Sequence, residues 1–314
     1  MSDRILITPR SLSAGEHSAL QPLRKAGFEL VRPTPGAMPS EADLIASVPG
    51  CVGWLVGIEP VSAAVIEAAS DLRIIARNGS GIDNLPLAAI EARGIKLGRS
   101  KGANARGVAE LTLALTLAGL RDLVPTHLGM RDGKWPRRIG TEIWGTEVGV
   151  IGLGAVGAIF VELCLGLGAH VRGHDPFLPP DVISHANFRR AAFDAVLDGA
   201  RVLSLHAPMP ANGRPMIGAG QIARLAKGAV VVNTARAGLV DADAMLAALE
   251  SGQVATYATD VFDTEPPSSS PLLAHPRVIM TSHIGGFTTA SVERAAARAV
   301  SNLLDVLVVD AHPA

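Results

Sequence analysis

The sequence predicts an α/β protein built on parallel sheets, and three observations carry that prediction. Short aliphatic, β-branched runs alternate with longer Ala- and Leu-rich stretches along most of the chain, the pattern of strand–helix–strand units with right-handed crossovers. Aromatic residues are only 4% of the 314 positions, so the core must be built from Ala, Val, Leu and Ile. The 33 glycines and 21 prolines supply the tight turns that short alternating elements need.

The same composition excludes other classes. Lys and Arg total 28 against 29 Asp and Glu, a formal net charge of −1, which gives no electrostatic reason to expect nucleic acid or an anionic membrane as a partner. Apolar residues at 48% and charged residues at 18% exclude a disordered chain. The longest apolar stretches are residues 111–120, too short to cross a bilayer, and 148–161, broken by Gly149, Gly152, Gly154 and Gly157. No membrane association is expected. Residues 1–4 run directly into a strand-like segment, with no signal-peptide pattern. Cys51 and Cys164 lie in apolar segments without metal-ligand spacing. They read as buried small hydrophobes, and the expectation is a cytoplasmic protein without a metal.

Taken in order, strands are expected at 5–8, 28–31, 51–56, 73–76 and 95–97, with helices at 13–26, 41–47, 63–69 and 87–93. Ser62 and Asn84 stand upstream of two of these helices as candidate caps. One long helix is expected over 103–121, with Leu111, Leu115, Leu117 and Leu120 apolar. Residues 121–144 are less regular and set Trp135 and Trp144 on a polar background. They read either as an arm packed on its own domain or as one that crosses to a second subunit. A second alternation starts at Glu147, with strands at 148–151, 170–174, 202–205, 229–233, 255–260 and 278–281 and helices at 156–167, 220–225 and 242–251. The helical period over 291–309 has no strand to follow it. It is expected to return to the first part, giving a discontinuous domain of 1–99 plus 287–314 and a second of 100–286, with hinges near 99–104 and 284–288.

The strand ending at Ile151 runs into Gly152, Gly154 and Gly157, spaced G-x-G-x-x-G, and then into a helix. Such a loop, with Ala155 and Val156 inside it, lets the backbone and a helix N-terminus approach a pyrophosphate. Asp175 follows 21 residues after Gly154, at the end of the next strand, where a carboxylate meets the ribose 2′-hydroxyl. That favours NAD over NADP. Arg172 lies three residues earlier and would attract a 2′-phosphate, but strand alternation turns it to the other face.

Three further apolar runs end in charged or titratable residues: Arg236, Glu265 and His283. Read singly, each has a bland explanation: a solvated arginine, a turn-capping glutamate, a structural histidine. Carboxyl ends of parallel strands converge on one crevice, and together the three fit the chemistry of a 2-oxo acid. Arginine holds a carboxylate in a charge-assisted pair, and histidine exchanges the hydroxyl proton beside an orienting glutamate.

With these residues on the page, the chain resembles the D-isomer-specific 2-hydroxyacid dehydrogenases over about residues 72–305. The matching segments are 77–84, 108–111, 152–157, 205–208, 233–236, 260–266 and 283–286. The resemblance implies two doubly wound domains, a Rossmann NAD-binding domain and a flavodoxin-like substrate domain made by both chain ends. It also implies a homodimer through the NAD-binding domain. By the same resemblance Arg236 binds and polarises the substrate, Glu265 pairs with His283, and His283 is the acid/base. His206, Pro208, Thr234 and Asp260 would line the cofactor, and the backbone amides of Asn78, Gly79, Ser80 and Gly81 would hold the substrate carboxylate.

Arg77, Gly79, Gly81 and Asn104 look like the phosphoglycerate dehydrogenases, which places Asn104 among the expected substrate-binding residues. Those enzymes, however, carry an arginine near the end of the strand that here reads Trp54, Leu55, Val56, Gly57, where this chain has no basic residue. They also have a regulatory domain, and none is expected here beyond Ala314. Arg106 either replaces the missing charge or is a solvated first-turn residue. Glyoxylate or hydroxypyruvate reduction and phosphoglycerate oxidation therefore both stay open. A corepressor-like NAD(H) sensor on the same fold is the alternative from another class.

Overall fold

The structure, a computed structural model, describes residues 3–179 and 183–308. Residues 1–2 and 309–314 of the expected discontinuous domain, and residue 309 of its last helix, lie outside the described residues. The chain divides into two compact units, residues 3–104 with 288–308, and Ala105–Phe287.

The first unit is built on a five-stranded parallel sheet. Its strands are β1 (Arg4–Ile7), β2 (Glu29–Val31), β3 (Cys51–Val56), β4 (Ile74–Arg77) and β5 (Lys96–Arg99), in the order β2-β1-β3-β4-β5. One face packs Leu6, Trp54, Val56 and Ile75 against Val65, Ile66 and Ile90. On the other, the helix Thr289–Leu307 sets Ala296, Ala299, Val300, Leu303 and Leu307 against Ile5, Ile7, Leu55, Ile74 and Ala76. The end of the chain thus completes the core begun by its first strand. Thr288 starts that helix by accepting the Ser291 N–H at 3.1 Å.

Three expectations need correction here. The helix expected at 13–26 is broken into Arg10–Ser13, a 3-10 turn Ser18–Leu20 and Gln21–Lys25. Pro22 has no N–H to continue a helix and can only open one. Ser62 occupies a cap position, but its hydroxyl donates to Glu41 rather than capping. Asn84 is not a cap. Its amide donates to the Gly57 and Glu59 carbonyls at 3.2 and 2.7 Å, and Pro86 precedes the helix Leu87–Ala92.

The second unit holds β6 (Glu147–Ile151), β7 (His170–His174), β8 (Phe188–Arg190), β9 (Val202–Leu205), β10 (Ala229–Asn233), β11 (Val254–Thr259) and β12 (Val278–Met280). Their order is β12-β11-β10-β9-β6-β7-β8, all parallel. The chain reverses direction across the sheet between β6 and β9, the switch point at which such sheets bind ligands beyond the strand ends. Helices Ala105–Leu120 and Ala155–Gly166 cover one face. Phe193–Leu197, Ala219–Ile222 and Ala242–Glu250 cover the other. β8 and the helix Phe193–Leu197 were not expected, because a three-residue edge strand containing Arg189 and Arg190 has no apolar alternation to detect.

The helix Leu123–Arg131 buries none of its residues. Beyond it Trp135 is 76% exposed, Ile139 104% and Trp144 75%, so these three side chains stay outside the core of their unit, whereas Ile143 of the same arm is buried in it. No described helix is long and apolar enough to cross a membrane.

Both cysteines are buried and free. Burial pushes the Cys164 thiol up to about 12 and raises that of Cys51 as well. At pH 8 the Cys164 thiolate fraction is then about one in ten thousand. The native protein should resist iodoacetamide at pH 8, while both thiols alkylate in denaturant, as read by mass spectrometry. Alkylation of either one in the folded protein at the rate of a free thiol would contradict this burial.

Candidate active site

The glycine loop follows β6. Gly152 takes φ +91, and a Cβ there would sit 2.6 Å from the His206 carbonyl carbon. A Cβ on Gly157 would lie 1.9 Å from the Gly152 oxygen, so the helix approaches the strand only because that position is bare. Gly154 caps the helix Ala155–Gly166 and faces open space, with no atom within 4 Å of where its Cβ would be. Ala155 and Val156 form the first helical turn, whose N–H groups lack intrahelical partners. This cradle fits a dinucleotide pyrophosphate.

Asp175 lies beside the cradle: its carboxylate accepts the Leu153 and Phe177 N–H groups, each at 2.9 Å. Arg172 points elsewhere. Its guanidinium donates to the Ala195 and Asp198 carbonyls at 2.6 and 2.5 Å and stands 3.3 Å from the Glu147 carboxylate. Arg190, which the sequence did not single out, donates to the Asp175 carbonyl. At the end of β9 His206 meets the Ser204 hydroxyl at 2.9 Å and stacks obliquely on Phe160 at 5.4 Å. Burial lowers its pKa to about 3, so it stays neutral and is unsuited to be the proton donor. Pro208 follows in the same loop. The Thr234 hydroxyl lies 2.8 Å from that of Thr112.

The three chemical residues follow β10, β11 and β12, which are adjacent strands. Asn233, fully buried at the end of β10, donates its side-chain amide to the Arg236 carbonyl at 2.8 Å and accepts the Ala235 N–H at 3.1 Å. It thereby fixes the turn that presents Arg236. This polar residue ending an all-apolar strand was the signal, and sequence reasoning left it unused. His283 adopts φ +54, and its Nδ1 stands 2.7 and 2.8 Å from the two Glu265 oxygens. Both side chains are exposed. A solvated pair adds little stability, so its consequence is orientation: with Nδ1 engaged, Nε2 is the ring nitrogen left for chemistry.

Asp260, 2% exposed, holds the turn that carries His283. One oxygen accepts the Thr281 hydroxyl at 2.6 Å and the Ile284 N–H at 2.8 Å, and the other accepts the Gly285 N–H at 2.7 Å. These contacts give Asp260 a positioning role that the sequence did not suggest.

The remaining expected residues lie in the first unit, and Arg106 stands just inside the second. Of the four loop amides, that of Asn78 donates to the Val56 carbonyl and that of Gly79 to the Arg77 carbonyl, each at 2.9 Å. This narrows the expectation, because of these four amides only those of Ser80 and Gly81 donate to no backbone carbonyl of the described residues. The Ser80 hydroxyl reaches the Ser100 carbonyl at 3.3 Å and the Asn104 side-chain oxygen at 3.4 Å. Arg106 is exposed and pairs with Glu110 at 2.7 Å, as a solvated first-turn residue does. Among the described residues no group of His, Cys, Asp and Glu is arranged to hold a metal ion.

Residues 113–285 match the family model described as D-isomer specific 2-hydroxyacid dehydrogenase, NAD binding domain. The D-3-phosphoglycerate dehydrogenase of Archaeoglobus fulgidus is 36% identical over 274 residues, covering 86% of this chain and 51% of that protein. The chain therefore spans about half the length of the curated relatives it matches. Among solved structures, the TT0316 protein from Thermus thermophilus has a TM-score of 0.86 at 32% identity, covering 97% of each chain. The NAD+-bound 3-phosphoglycerate dehydrogenase of Entamoeba histolytica has a TM-score of 0.82 at 25% identity, covering 98% of this chain and 96% of that one.

Gly157→Ala should abolish dinucleotide binding, since the added methyl forces the helix off the Gly152 carbonyl. Titration with NADH, followed by fluorescence on protein whose circular dichroism is native, checks this. Unimpaired binding by the variant would contradict the cradle geometry.

Proposed function

The chain belongs to the D-isomer specific 2-hydroxyacid dehydrogenase family, and on that premise we propose that it is an oxidoreductase. It moves a hydride between NAD(H) and a small 2-oxo or 2-hydroxy acid of the glyoxylate, hydroxypyruvate or 3-phosphoglycerate type. The observation that carries this reading is the His283–Glu265 contact at 2.7 Å, on a turn gripped by Asp260.

Gly152, Gly154, Ala155, Val156 and Gly157 hold the pyrophosphate, Asp175 the adenosine ribose, and His206, Pro208 and Thr234 line the remainder of the cofactor site. When bound, the reduced nicotinamide supplies the hydride. Arg236 offers a two-pronged donor that pairs with the substrate carboxylate and draws charge onto the reacting carbonyl oxygen. Protonated His283 delivers a proton from Nε2 to the developing alkoxide, and takes it back in the oxidative direction. Glu265 accepts Nδ1–H and so fixes the tautomer and the ring plane. In the first unit, the Ser80 and Gly81 N–H groups are donors suited to a carboxylate, on a loop whose Ser80 hydroxyl meets the Asn104 side chain.

The partner is proposed to be a second copy of the chain, joined through the arm at 121–144. Its exposed Trp135, Ile139 and Trp144 support this, because apolar surface left bare on a soluble chain marks an interface. The two buried thiols are in keeping with a reducing cytoplasm.

Following NADH absorbance over a panel of 2-oxo acids should reveal turnover that favours NADH over NADPH. His283→Ala should lose about 10²–10⁴ in kcat, and Arg236→Ala should depress kcat/KM for the acid while leaving NADH affinity nearly intact. Near-normal turnover by His283→Ala, or preference for NADPH, would contradict these roles. Light scattering should give a dimer that Trp135→Glu combined with Ile139→Glu dissociates, and a monomeric parent would exclude the arm as an interface.

A further inference from the structure

The Thr112 and Thr234 hydroxyls stand 2.8 Å apart, a contact that the proposed chemistry leaves unused, and its direction follows from Thr112. That residue is fully buried in the helix Ala105–Leu120, and its Oγ1 lies 2.8 Å from the Val108 carbonyl. A carbonyl only accepts, so the single Thr112 proton goes to Val108, the back-bond a helical threonine makes to the residue four before it. Thr112 Oγ1 is left with lone pairs alone, and the contact requires the Thr234 hydroxyl to donate. The Thr234 proton is thereby committed to the protein, and Thr234 Oγ1 offers a ligand lone pairs only.

The strands place this acceptor. Asp175 follows β7, the glycine loop follows β6, His206 follows β9 and Thr234 follows β10, and these four strands are consecutive in the sheet. A dinucleotide with its adenosine ribose on Asp175 and its pyrophosphate on the glycine loop extends across β9 toward β10, and reaches Thr234 with its nicotinamide end. Thr234 stands two residues before Arg236. One turn before Thr112, about 6 Å along the helix axis, Val108 faces Gly285: a Cβ on that glycine would lie 3.4 Å from Val108 Cγ2. One helix therefore touches both the turn that carries Arg236 and the turn that carries His283. The nicotinamide ring brings one N–H donor to this place, the amino group of its carboxamide.

We propose that Thr112 is a positioning residue: by holding the Thr234 proton, it makes Thr234 an acceptor for the carboxamide amino group and so fixes the orientation of the carboxamide. A hydroxyl free to rotate would serve either end of that group, its amine or its carbonyl. This one serves the amine alone. The inference rests on the dinucleotide part of the dehydrogenase reading and deepens it.

The test measures binding of NADH and of its reduced 3-acetylpyridine analogue by isothermal titration calorimetry. In the analogue a methyl group replaces the carboxamide amine. The parent should bind NADH at least about fivefold more tightly, the worth of one neutral hydrogen bond. In Thr112→Val the Thr234 proton loses its acceptor and turns to the acetyl oxygen. The analogue should then gain affinity while NADH keeps its own, and the ratio should fall below about twofold. Thr112→Ser retains the hydroxyl and should preserve the ratio. A purely structural role for Thr112 would weaken both cofactors together and leave the ratio unchanged. Should Thr112→Val misfold by circular dichroism, Thr112→Ala takes its place. Equal binding of the two cofactors by the parent overturns the proposal, and is what a contact from Thr234 to the ribose hydroxyls would give. So does a ratio that loss of the Thr112 hydroxyl leaves intact, or one that Thr112→Ser also loses. Failure of the parent to bind NADH at all would instead defeat the dinucleotide site, and this inference with it.

Discussion

The grip of Asp260 on the segment after β12 is the interaction on which the candidate site depends. Three donors, the Thr281 hydroxyl and the Ile284 and Gly285 amides, converge on one buried carboxylate. They bracket His283 on both sides and hold it in a left-handed conformation that a histidine seldom takes. The Glu265 contact then has only the ring plane left to set. A carboxylate this well satisfied tolerates burial, and its rigidity passes to a side chain that is otherwise exposed.

The two units reach their architecture by different routes. The second is one continuous stretch of chain, and its switch point falls where the glycine loop needs to be. The first closes only when the helix Thr289–Leu307 returns to β1, β3 and β4. Chain ends far apart in sequence therefore share one core, and damage to Leu303 or Val300 is felt by the first strands.

Much of this was legible in the sequence. The strand ends at Ile151, Asn233 and Val56 were plain because fully buried parallel strands read as unbroken aliphatic runs. The glycine loop was legible because its spacing has a steric cause at Gly152 and Gly157. Elements that depend on few residues were not legible: β8 is a polar edge strand, and the helix expected at 13–26 hid a break at Pro22. Side-chain commitments were also hidden. Nothing in the order of residues revealed that Asn84 ties down Gly57 and Glu59, that Asn233 fixes the Arg236 turn, or that two of the four loop amides were already taken by Val56 and Arg77. Such pairings arise from register between strands, which a single sequence does not record.

The site is proposed to transfer a hydride to the carbonyl carbon of a 2-oxo acid. The most direct measurement uses NADH deuterated at the transferring position and the best 2-oxo acid found, with the product analysed by mass spectrometry and chiral chromatography. The expectation is one deuterium on C2 of a single product enantiomer, the D-2-hydroxy acid. A product without deuterium at C2, or a racemic one, would contradict it.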